Sequence, residues 1–134
     1  MTNNVAVEIV TPSHLYYSGN VPMVVVPGSM GEMGILPGHA PLISTLQMGI
    51  VALYNEQEKV EKRYFIGSGV VEVTQERCTV LTERVEELDR LSKTDALTKL
   101  ATTQEALTRA ATDSEKQMLE NRAKFEEALV QQLN

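Results

Sequence analysis

Few residues in this chain are of types that do chemistry. The histidines are His14 and His39, and the single cysteine is Cys78. They stand far apart in sequence, without the spacing of metal ligands. A phosphate-cradling loop needs G-x-x-x-x-G-K-[ST]. The stretch Gly28-Ser29-Met30-Gly31-Glu32-Met33-Gly34 has no Lys, and Glu32 repels phosphate. Gly67-Ser68-Gly69 runs into Val70-Val71, a strand rather than a helix N-terminus, which argues against a dinucleotide fold. It is also too short for the nucleophile elbow G-x-S-x-G. His39, between Gly38 and Ala40, reads as a loop hydrogen-bonder, because acid–base work needs positioned partners. Cys78 lies in an apolar-alternating run and reads as a buried small side chain. The expectation is no catalytic residue, no metal site and no cofactor.

What remains is shape. From Pro27 to Leu42 the chain concentrates Gly and Pro, yet Met30, Met33, Ile35, Leu36 and Leu42 are interleaved with them. Two readings stand side by side. The segment is a pair of tight turns between strands, or a folded connector that presents a fixed surface to a partner.

Composition narrows the classes. The net charge is −6, so no basic face is available to grip phosphate backbones. Trp is absent and aromatics are 4%, which argues against stacking on single strands. No nucleic-acid partner is expected. One cysteine excludes an internal disulfide. No apolar run reaches the roughly eighteen residues of a membrane span. Met1-Thr2-Asn3-Asn4 lacks the basic start and apolar core of a secretory signal. The expectation is a soluble, cytoplasmic protein.

The elements that must position these residues fall into two halves. Every Gly and Pro lies at or before Gly69. The first half reads as β. Val5, Val7 and Ile9 alternate on one face, and Met23–Val26 is a β-branched run between prolines. Ile50–Tyr54 and Arg63–Ile66 flank a polar turn, as in a hairpin. Val70–Thr74 and Cys78–Thr82 follow at close spacing, as in a sandwich or barrel. The second half reads as two helices. Ser92-Lys93-Thr94-Asp95 and Thr112-Asp113-Ser114-Glu115 are capping patterns. Leu97, Leu100, Ala101 and Leu107 are expected to form one apolar stripe, and Met118, Phe125, Leu129 and Leu133 the other. The expected fold is β plus α: an N-terminal antiparallel β-sandwich over 1–86, then an antiparallel two-helix hairpin over 87–134. About eight large apolar side chains must order about forty residues of hairpin, so it is expected to need a docking surface and to be able to exchange one for another.

Gly31-Glu32-Met33-Gly34-Ile35-Leu36-Pro37-Gly38-His39-Ala40-Pro41-Leu42 closely resembles the signature of the ε subunit of bacterial and chloroplast F-type ATP synthases, with Met33 where that family usually has Leu. Val7-Glu8-Ile9-Val10-Thr11-Pro12, Gly67-Ser68-Gly69-Val70-Val71-Glu72-Val73 and the terminal helix pair extend the resemblance along the whole chain. It implies a non-catalytic subunit of the central stalk. Its partners would be the γ subunit, the ring of c subunits and the catalytic α/β head, at the cytoplasmic face of the bacterial inner membrane without spanning it. Met30, Gly31, Glu32, Met33 and His39 would belong to the loop facing γ and the c-ring. The sandwich would serve assembly of the rotor stalk. The hairpin would be regulatory, extending into the head to suppress ATP hydrolysis. Some family members bind ATP on the hairpin as a regulatory ligand. Leu88 and Asp89 match their motif, while Ser92 and Lys93 depart from it, and the missing Arg removes a phosphate-pairing charge. The resemblance thus implies at most a weak nucleotide site at Leu88, Asp89, Lys93 and Arg122. The competing reading is a stand-alone β-sandwich adaptor whose hairpin binds another assembly.

Overall fold

In the computed structural model the described residues are 3–133. Met1 and Thr2, part of the stretch read for a leader, and Asn134 lie outside them. The chain divides into two compact units, Met1–Asp89 and Arg90–Asn134.

The first unit carries ten strands: β1 (Val5–Val10), β2 (Leu15–Val21), β3 (Met23–Gly28), β4 (Gly31–Ile35), β5 (Leu42–Leu46), β6 (Gly49–Tyr54), β7 (Val60–Ile66), β8 (Gly69–Val73), β9 (Arg77–Thr82) and β10 (Val85–Glu87). One layer runs β10-β7-β6-β3-β4 and the other β5-β8-β9-β1-β2. A single pairing, Gly28 with Leu46, joins β3 to β5 and so links the layers at one corner. Pairings are antiparallel except that of β1 with β9.

Alternation explains the core. Val5, Val7 and Ile9 of β1, Val71 and Val73 of β8, and Cys78 and Val80 of β9 all point inward. They meet Val24, Val26, Ile35, Val51, Leu53 and Ile66 from the other layer in one cluster. This is the packing that two facing sheets with period-two patterning produce. Burial pushes the Cys78 thiol up to about 12, because ionisation in an apolar core is unfavourable. Strand β2 is interrupted by Ser18, Gly19 and Asn20, so its pattern is weak; it forms an edge of its layer. Gly69 has a steric reason: a Cβ there would lie 2.1 Å from the Leu81 carbonyl oxygen on β9.

The second unit is a helix hairpin, α1 (Lys93–Thr108) and α2 (Asp113–Gln131), packed on each other. Ser92 Oγ accepts from the Asp95 N–H at 3.1 Å, and Thr112 Oγ1 accepts from the Glu115 N–H at 3.1 Å. Each satisfies a donor that the first helical turn leaves free. The buried stripe differs from the expected one. Leu97 and Met118 are 47% and 56% exposed, and the buried positions are Ala96, Thr103, Leu119, Ala123, Phe125, Glu126 and Leu129. The helical period holds: Phe125 and Leu129 are buried as expected, whereas Ala96 and Leu119 are buried in place of their neighbours Leu97 and Met118. Ala96 and Thr103 are small enough for close helix approach, and large residues beside them turn outward.

Candidate functional site

The Gly- and Pro-rich segment turns out to be a hairpin with a braced tip. Strands β3 and β4 pair from Val24–Ile35 to Gly28–Gly31, leaving Ser29-Met30 as a two-residue turn. Gly31 takes φ +130, a backbone conformation that disfavours side chains. The tip is tied to β5: the Ser29 N–H donates to Thr45 O at 3.1 Å, and the Ser29 and Thr45 hydroxyls are 2.6 Å apart. Met30 is 100% exposed, an apolar side chain held in water by a fixed turn. Glu32 is exposed on β4 opposite Pro27. Met33 turns the other way and packs against the core. His39 lies in the following loop, where its N–H donates to Leu36 O at 3.1 Å and its Nδ1 is 2.7 Å from Ala40 O. Of the five loop residues named from sequence, Met30, Gly31 and Glu32 therefore share the tip, Met33 supports it from beneath, and His39 organises the next turn.

A second surface was not read from the sequence. On the outer face of the β5-β8-β9-β1-β2 layer, Thr45 stands opposite Val70, Val70 opposite Leu81, Leu81 opposite Val10, and Val10 opposite Leu15. Leu15, Leu81 and Val70 are all exposed, and Ile43, two residues from Thr45 on the same face, is 72% exposed. A groove of about 610 Å³ runs along Val10, Pro12, Val70 and Leu81. The row begins at Thr45, the residue that braces the tip. The signal was in the sequence as broken alternation. Leu42-Ile43, Val70-Val71 and Val80-Leu81 are apolar doublets, and one member of each must face away from the core.

The four residues named for a nucleotide are divided between the units. Leu88 is buried, and the Asp89 carboxylate is held by Arg63. The Arg63 N–H donates to Oδ2 at 3.1 Å, and its Nη2 donates to Oδ1 at 3.0 Å. Lys93 and Arg122 are exposed on the hairpin. Elsewhere, Ser13 Oγ lies 2.9 Å from His14 Nδ1, but both are exposed on a turn, and Cys78 is enclosed in the core. A serine beside histidine in open solvent lacks the third, orienting group that nucleophilic catalysis uses.

A sandwich that turns apolar side chains outward in a continuous row and braces a hydrophobic tip presents the kind of surface that docks a partner. The comparisons agree. The family model described as ATP synthase, Delta/Epsilon chain, beta-sandwich domain matches residues 4–88. An ATP synthase epsilon chain of Rhodospirillum centenum is 44% identical over 126 residues, covering 91% of this chain and 86% of its own. That of Rhodospirillum rubrum is 40% identical over 116 residues, covering 87% and 86%. The chain belongs to the ATP synthase epsilon chain family. Its fold recurs in the Euglena gracilis mitochondrial ATP synthase (OSCP/F1/c-ring, rotational state 1). There the TM-score is 0.70 at 18% identity, over 100% of this chain and 84% of that one. It recurs also in the central stalk/c-ring of the Tetrahymena thermophila mitochondrial enzyme, with TM-score 0.55 at 12% identity, over 97% and 96%.

Proposed function

We propose that this chain is a non-catalytic central-stalk subunit of an F-type ATP synthase, joining the γ subunit to the c-ring during proton-driven ATP synthesis. The observation that carries this reading is the apolar row Val70–Leu81–Val10–Leu15, continuous through Thr45 with the tip at Met30. Contiguous exposed apolar surface is characteristic of a protein interface. In this reading the outer face docks γ, and the tip with Met30 and Glu32 meets polar loops of the ring. Family membership and the hydrogen bonds that tie the tip to Thr45 support the placing of these two surfaces. The subunit sits peripherally on the cytoplasmic face of the inner membrane. Among the described residues no helix is long and apolar enough to cross a membrane.

The hairpin is assigned regulation. It enters the catalytic α/β head and suppresses ATP hydrolysis, and its separation from the sandwich as a compact unit supports this division of labour. Asp89 marks where to cut, because Arg63 ties its carboxylate into the first unit. A chain truncated after Asp89 is expected to co-purify with γ and the c-ring but to leave hydrolysis by the head uninhibited. Hydrolysis assays on reconstituted complexes decide it. Equal inhibition by full-length and truncated chains would remove the regulatory role and leave the stalk role standing.

A further inference from the structure

The hairpin seam contains a buried carboxylate. Thr103 on α1 is 4% exposed and Glu126 on α2 is 9% exposed, and the Thr103 hydroxyl donates to Glu126 Oε1. Around them the buried positions are small or apolar: Ala96, Leu119, Ala123 and Leu129. A leucine or methionine at 126 would satisfy the helical pattern and bury more apolar surface. A buried carboxylate gives up hydration that a single hydroxyl only partly replaces. Among the described residues no buried side-chain oxygen or nitrogen lacks a partner, so the closed hairpin satisfies the group but gains little from it.

We propose that Thr103 and Glu126 form a polar latch that fixes the pairing of α1 with α2 and keeps the closed hairpin close in free energy to a form in which the helices have separated. When α2 leaves α1, Glu126 returns to water and recovers its hydration. An apolar residue there would resist that step. Thr103 acts in the opposite sense, since without its hydroxyl the carboxylate is buried unpaired, which disfavours the closed form. The latch sets the population of the closed hairpin. Its effect on hydrolysis rests on the inhibitory role proposed above.

The two halves of the contact make opposite predictions. Glu126→Met, close in volume, is expected to slow amide exchange of α1 and α2 in the full-length chain by roughly tenfold. In the reconstituted complex it should weaken inhibition of hydrolysis. Thr103→Val is expected to speed exchange roughly fivefold and to strengthen inhibition. Thr103→Ser, which keeps the hydroxyl, should restore near-native exchange. Glu126→Gln serves as a second variant should Met repack the seam, and helicity by circular dichroism verifies that each variant folds. Unchanged or faster exchange in both Glu126→Met and Glu126→Gln would overturn the latch. Shifted exchange with unmoved hydrolysis would uphold the latch and refute the inhibitory role. Unmoved exchange in a chain that still inhibits would do the reverse.

Discussion

The two units bury different things. The sandwich core is a cluster of Val, Ile and Leu with Cys78 and Tyr64, and its buried polar residue is Thr82, whose hydroxyl lies within 3.4 Å of the carbonyls of Gly67, Ser68 and Arg84. The hairpin buries Ala96, Thr103, Ala123 and Glu126 among its larger side chains. Aliphatic burial is favourable in proportion to area and has no competing state in water. A carboxylate in a seam always has one. The first construction favours one fixed packing, and the second matches the releasable role proposed for the hairpin. Truncation after Asp89 exploits this contrast most fully, because it removes the hairpin and leaves the sandwich.

Further perturbations test each side, in descending order of effect. Leu81→Glu places a charge in the centre of the outer row without touching the core. It is expected to weaken binding to γ by roughly a hundredfold, measured by titration, while the melting temperature barely moves. Unchanged affinity would mean that recognition lies elsewhere on the sandwich. Gly69→Ala forces a methyl to 2.1 Å from the Leu81 carbonyl oxygen. Urea denaturation should show a loss of about 3 kcal/mol, confined to the unit that holds β8 and β9. A loss shared by the hairpin would show that the units unfold together. Ser92→Ala and Thr112→Ala each remove one cap hydroxyl. Each is expected to cost about 1 kcal/mol of hairpin stability and to leave the sandwich unaffected, as read by segment-resolved hydrogen exchange.

Much of this was legible in the sequence, for physical reasons. Strong alternation in Val5–Val10 and Cys78–Thr82 marked strands, and both capping patterns placed the helix starts at Ser92 and Thr112. Strands β2, β4, β5 and β10, the outer row and part of the hairpin stripe were not. Strand β4 hid among glycines because its pairing with β3 is set by the turn at Ser29-Met30, not by propensity. The outer row hid because apolar doublets look like extra core until register shows which member points out. The hairpin stripe was read correctly at Phe125 and Leu129 but placed one residue off at Leu97 and Met118, where Ala96 and Leu119 are the buried positions. The twelve-residue signature therefore identified the family correctly, while side-chain orientations in and beside it emerged only from geometry: Met33 turned inward, and Met30, just before the signature, outward.

The most direct test of a rigid foot joined to a releasable regulator is hydrogen exchange on the full-length chain, free and assembled with γ, the c-ring and the head. The core strands β3, β6, β8 and β9 are expected to stay strongly protected in every state, while protection of α1 and α2 changes between synthesis and hydrolysis conditions. Equal, unchanging protection of hairpin and sandwich in all of those states would contradict the account.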